Sequence, residues 1–302
     1  MDINKPRRGS MAHRPRKRAK NQRVYWQDSS EKRVLGFAGY KAGMTQVAYI
    51  DDSESPTKGQ EVISAATVLE VPPLTVYGVR CYSKKNSVGD ILTTDEKILK
   101  QARAKKSKEV KEDSVDDARL LVYAMPSKTK LGKKHIEKME IGCGGADIKE
   151  KLEYGKSLLG KEIKVSDAFK LGEYVDVVSI SKGKGWQGPI KRFGASIQRR
   201  KATGKRRHIG TLGPFKPGYV MYTAPQAGQT GYHKRTELNK RIVKIGDKPE
   251  EINPSSGFPC YGFVNNDYII VKGSIPGPVK RLIKIRLAVR SPEVKELEAS
   301  LI

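Results

Sequence analysis

Apolar residues recur at every second position, or in short unbroken runs, along most of the chain, and that period predicts strands. The run "VLGFAGYKAGMTQVAYI", from residue 34, reads as two strands with a glycine turn between them. "EVISAATVLEVP" and "TVYGVRCY" extend the same β-rich body. The pattern changes near residue 92. "LTTDEKILKQARAKKSKEVKEDSVDDARLLVYAM" sets Thr93 and Glu96 at capping-box spacing, which predicts a charged helix followed by a strand at "LLVYAM". "KHIEKMEIGCGG" and "IKEKLEYGKSLLG" predict a strand and a helix. Residues 83–165 therefore read as an α/β insertion within a mainly β chain. "EYVDVVSIS", "RIVKIG", "DYIIVKGSIPG" and "LIKIRLAVR" return to strand. The predicted body spans 34–82, 166–181 and 237–302.

Two segments fit neither period. Residues 1–33 combine prolines with charge and read as an extended arm. Residues 182–236 lie between "VVSIS" and "RIVKIG", two strands able to pair as neighbours and throw out the intervening stretch as a long excursion.

Charge sharpens this division. The chain has 302 residues and a net charge of +26, from 59 basic and 33 acidic residues. Residues 3–27 hold nine lysines and arginines and no acid, and residues 177–236 are also acid-free. Within 182–235 stand thirteen lysines and arginines and ten glycines. The rest of the chain has 37 basic against 33 acidic residues, so the excess sits on the two aperiodic segments. Such an excess implies a polyanionic partner. The central stretch has few large apolar side chains against the backbone entropy it must lose, so it is expected to take shape on a polyphosphate. Glycine backbone can approach sugar–phosphate closely, and interleaved aromatics can stack on unpaired bases. No helix-turn-helix, zinc-finger or basic-zipper pattern points to DNA, so RNA is the expected ligand.

Enzyme chemistry finds little footing. "GKGWQG" lacks the spacing of a nucleotide-binding loop, and no Gx[SC]xG elbow occurs. His13, His135, His208 and His233 lack metal-ligand spacing, and Cys81, Cys143 and Cys260 form no paired motif. No cofactor, metal or small-molecule substrate is expected. No apolar run is long enough for a membrane span. The adjacent acids of "SVDDAR" read as helix capping or a solvated face. The runner-up is an RNA-modifying enzyme or another kind of RNA-binding protein.

"GYKAGMTQ" (39–46), "KGKGWQGPIKRFG" (182–194) and "GTLGPFKPGYVMYTAPQAGQTGYHKRTELNKRIVKIG" (210–246), with the arm "GSMAHRPRKRA" (9–19), resemble the universal large-subunit ribosomal protein L-three family, in its archaeal form. The resemblance covers most of the chain. It implies a six-stranded translation-type β-barrel with long basic non-globular extensions, and a cytoplasmic place in the large ribosomal subunit beside ribosomal RNA and neighbouring proteins. It implies early action in subunit assembly, a central extension reaching toward the peptidyl transferase centre, and catalytic groups that belong to RNA. Phe215 then stands nearest that centre, where eukaryotic relatives carry Trp. Thr203 stands where eukaryotic relatives modify a histidine, so that modification is not expected.

The residues expected on RNA are, in the arm, Arg7, Arg8, Arg14, Arg16, Lys17, Arg18, Lys20 and Arg23. In the extension, Lys182, Lys184, Lys191, Arg192, Arg199, Arg200, Lys201, Lys205, Arg206, Arg207, Lys216, Lys234 and Arg235 are expected mainly on phosphates, with His208 and His233 beside them. Gly210, Gly213 and Gly218 should allow tight backbone passage. Phe215, Gln226, Gln229 and Tyr232 are candidates for base or sugar contact. Trp186 joins the set, although its place near the base of the extension also suits packing at the edge of the body.

Overall fold

The longest strand, β1 (Gly36–Ile50), runs unbroken through the glycines expected to turn it. Its register against β2 (Glu61–Glu70) shifts between Lys41 and Gly43, a bulge that absorbs the irregularity without reversing the chain. At Gly43 a Cβ would sit 2.4 Å from the Phe258 ring, so glycine there serves close packing.

The computed structural model describes residues 9–84, 86–104, 115–292 and 299–301. The chain divides into two compact units, one of Met1–Gln22 with Ile180–Arg235, the other of Arg23–Ser179 with Thr236–Ile302.

The larger unit carries two sheets. In the second, β3 (Leu74–Ser83) pairs with β4 (Asn86–Leu92), β5 (Asp117–Ala124) and the short β7 (Glu162–Ile163), and β6 (Glu137–Gly142) adds beyond β5. "TVYGVRCY" is thus a strand as expected, but it belongs with the strands of 83–165. α1 (Glu96–Ala102) is shorter than its charge pattern suggested and has no side-chain cap. Thr93 accepts the Asp95 N–H instead of forming the expected capping box, and Arg103 ends the helix in the left-handed region. α2 (Ile148–Ser157) forms as expected, and α3 (Val165–Ala168) follows β7.

The first sheet adds β8 (Tyr174–Ile180), β11 (Lys234–Gly246), β12 (Tyr268–Lys272), β13 (Leu282–Leu287) and β14 (Ala299–Leu301), in the order β13-β8-β11-β12-β2-β1-β14. β1 also pairs with β13, from Gly36 opposite Arg286 to Tyr40 opposite Leu282. β8 and β11 are neighbours, so the chain between them is an excursion from adjacent strands.

This sheet is buried on both faces, which is why its strands read as continuous apolar runs. Alternate residues enter different clusters: Leu69, Ile269 and Val271 join Val76, Leu120 and Ile141 of the second sheet, whereas Val68, Tyr268 and Ile270 pack with Tyr40 and Tyr261. Each such side chain contributes about 1.5–3 kcal/mol on leaving water. One carboxylate lies among them. Glu70 accepts hydrogen bonds from the Tyr261 hydroxyl, the Asn265 and Asn266 N–H groups and the Asn266 amide. Burial and that carboxylate push the Tyr261 phenol well above the ordinary range.

Candidate nucleic-acid interface

The smaller unit begins where β8 ends. β9 (Gly183–Gln187) and β10 (Gly228–Gly231) form an antiparallel pair at the base of the excursion, with Gln229 opposite Trp186 and Gly231 opposite Gly183. α4 (Pro189–Phe193) follows β9, with proline in its first turn and Gly194 in the left-handed conformation at its end. Residues 194–227 contain turns and bends but no helix or strand. Of the large apolar side chains in 182–236, only Phe193 is buried.

The arm residues of this unit, 9–22, lie against that base. The Ala19 N–H donates to the Tyr232 carbonyl at 2.8 Å, and His233 meets the Lys17 carbonyl through Nδ1 at 3.0 Å. The described residues of this unit include no Asp or Glu at all. Its arginines therefore use carbonyls and ring faces. Arg192 donates to the carbonyls of Gln226 (2.9 Å), Gln229 (3.1 Å) and Arg16 (3.4 Å). The guanidinium of Arg14 stacks on Tyr222 at 4.6 Å, that of Arg16 on Phe193 at 4.4 Å, and that of Arg18 on Tyr232 at 5.2 Å. Such contacts contribute about 0.5–2 kcal/mol each.

Cations of the larger unit are held differently. Arg33 pairs with Glu173, Arg80 with Asp90 and Glu140, and Arg241 with Asp52. Arg286 pairs with Asp176, the last acid before the acid-free run. Several arginines of the larger unit are thus held by acids, whereas most basic residues of the smaller unit are displayed.

Among the residues expected on RNA, Arg14, Lys17, Arg18, Lys20, Arg23, Lys182, Lys184, Lys191, Arg199, Arg200, Lys201, Lys205, Arg206, Arg207, His208, Lys216, Gln226 and Lys234 are exposed, as are Gly210, Gly213 and Gly218. Arg16, Gln229, Tyr232 and Arg235 are half-buried. Arg7 and Arg8 lie outside the described residues. The Gln198 N–H donates to the Arg206 carbonyl, drawing the ends of 198–206 together so that Arg199, Arg200, Lys201 and Lys205 are displayed from one loop. Phe215 is 93% exposed, and the alternative of packing on Tyr219 or Met221 is not realised.

Three placements correct the sequence expectation. Trp186 is not an edge-packing residue: its side chain is 76% exposed. His233 is buried, and its imidazole is held below its usual pKa, mainly by loss of water and further by the charges of Arg235, Arg16 and Arg192. Arg192 is half-buried and donates to backbone carbonyls, so part of its guanidinium braces the unit. The sequence reading also missed the docking of the arm on the extension. A signal was available: two acid-free segments whose arginines can be met by one another's carbonyls and by the rings of Phe193, Tyr222 and Tyr232.

A β body that holds several of its cations in ion pairs, joined to a unit whose described residues carry no carboxylate and display cations and aromatics, suits a structural protein that lies against a polyanion. The family model described as Ribosomal protein L3 matches residues 1–102 and 83–301. The chain belongs to that family. It is 44% identical to the large ribosomal subunit protein uL3 of Methanothermobacter thermautotrophicus, with 96% of this chain and 94% of that protein aligned. It is 42% identical to the protein of the same name from Methanocaldococcus jannaschii and 44% identical to that from Archaeoglobus fulgidus, each over 97% of this chain and 94% of the relative.

Proposed function

We propose that this chain is a structural constituent of the large subunit of cytoplasmic ribosomes, not an enzyme, and that it binds large-subunit ribosomal RNA through its arm and extension. The observation that carries this reading is the smaller unit, whose described residues hold no carboxylate and whose exposed cations find their counter-charge in RNA phosphates. Membership of the Ribosomal protein L3 family and the names of the aligned relatives support the same place. The extension, with Phe215 at its tip, lies near the peptidyl transferase centre and shapes the surrounding RNA, and the protein acts early in subunit assembly. Neighbouring subunit proteins are its other partners. The six strands β13, β8, β11, β12, β2 and β1 form a closed barrel, a reading supported by the pairing of β13 with both β8 and β1.

Deleting residues 195–222 tests the role of the extension. The larger unit should fold as before, by circular dichroism and thermal melting, while the shortened chain fails to cosediment with large subunits in high salt. Normal incorporation and full translation by the shortened protein would show that the extension is not what holds it in the subunit.

A further inference from the structure

The smaller unit contains a cleft of about 230 Å³ that the reading above does not use. Its lining comes from three separate segments: Arg14 and Arg16 of the arm, Arg192 of α4, and Val220, Met221 and Tyr222 of the returning chain. Three guanidinium groups border it, and the unit's described residues supply no carboxylate to offset them. Arg192 is fixed by the carbonyls behind it, and Arg14 and Arg16 are oriented by the rings they stack on. Cation crowding is felt locally: Arg192 is held below its ordinary pKa, first by loss of water and then by the charge of Arg14. Val220, Met221 and Tyr222 are all exposed, giving the cleft an apolar, partly aromatic wall beside its cationic one.

An anion seat beside an aromatic wall matches the two chemistries of a nucleotide. Guanidinium forks bind phosphate oxygens with directional hydrogen bonds, and tyrosine offers a face on which any base can stack. We infer that this cleft receives a single unpaired ribonucleotide, its phosphodiester on Arg14 and Arg16 and its base against Met221 and Tyr222. The inference rests on the RNA-binding reading of this unit. It adds that the arm and the returning chain build one pocket together, so neither segment alone should hold the nucleotide.

The test uses the full chain and a single-stranded oligoribonucleotide carrying 4-thiouridine, with photocrosslinks mapped by mass spectrometry. Crosslinks at Met221 or Tyr222 are expected. Tyr222→Leu should abolish them and weaken binding roughly tenfold. Arg14→Gln should weaken binding and reduce the magnitude of the salt slope by about 0.7, the loss of one single-strand phosphate contact. Lys201→Gln, outside the cleft, should weaken binding yet leave the crosslinks in place. If the wild-type chain binds the oligonucleotide but crosslinks only elsewhere, or if Tyr222→Leu and Arg14→Gln bind as wild type, the cleft assignment is wrong while the RNA-binding reading stands. If the wild-type chain binds no RNA, both fall. Equal protection of Arg14 from phenylglyoxal by inorganic phosphate and by the oligonucleotide would reduce the cleft to a plain anion seat and overturn the nucleobase part.

Discussion

His233 is the residue at which the chemistry of the smaller unit becomes testable by pH. Its buried imidazole faces the Lys17 carbonyl and stands in the field of Arg16, Arg192 and Arg235, with no carboxylate among the unit's described residues to favour protonation. Its folded pKa lies below the unfolded value of 6.5. For a base depressed in this way, the unfolded state binds more protons as pH falls, so stability is full above about pH 6.5 and declines below it. Amide exchange at Ala19 and Tyr232, corrected for intrinsic rates, should therefore be less protected at pH 5.5 than at 7.5. In His233→Gln the difference should vanish. Equal protection at both pH values would mean that the imidazole titrates as in water and does not hold the arm.

Among the elements, the short β9–β10 pair decides whether the extension has a defined root. Gly231 has φ +70°, and a Cβ there would come within 2.0 Å of the Lys182 carbonyl oxygen. Gly231→Ala meets a left-handed penalty of about 1–2 kcal/mol plus a backbone clash that no side-chain motion relieves. The variant should lose exchange protection at the Tyr232 N–H, which donates to the Lys182 carbonyl, while the melting of the larger unit stays unchanged. A fully protected Tyr232 amide in the variant would show that this close approach is not needed. The strands of the larger unit were legible because burial on one or both faces writes a period into the sequence. The glycines of β1 misled, since a glycine that admits Phe258 looks in sequence like a glycine that turns. The capping box failed for a related reason: Thr93 and Glu96 have the right spacing, yet Asp95 takes the N-cap position and the Thr93 hydroxyl accepts its N–H. The candidate interface was legible as composition, because charge excess needs no geometry to be seen. Which of its residues face inward was not legible. Arg192 and Arg199 look alike as letters and differ only in what packs beside them.

On the scale of the whole molecule, the division of charge sets how binding should respond to salt. If the arm and extension together neutralise about ten phosphates, log affinity should fall with log salt at a slope of roughly −7 to −9. Charge-neutralising substitutions at Arg80 or Arg241, which are paired within the larger unit, should leave that slope unchanged, whereas substitutions at Arg199 or Arg206 should each lower its magnitude by about 0.7–0.9. Filter-binding titrations over a range of potassium concentrations measure this directly. A shallow slope, or one equally sensitive to all four arginines, would contradict the separation of paired from displayed charge.

The hydrogen bond between His233 and Lys17 joins residues 216 positions apart. A ribosome making this chain at about 5–20 residues per second releases the arm roughly ten to forty seconds before the residues that will hold it exist. For most of that interval the newborn arm lacks the rings of Phe193, Tyr222 and Tyr232 on which Arg16, Arg14 and Arg18 come to stack. Any nearby polyanion therefore competes first, and the order in which the chain emerges favours premature capture of the arm over its docking at home.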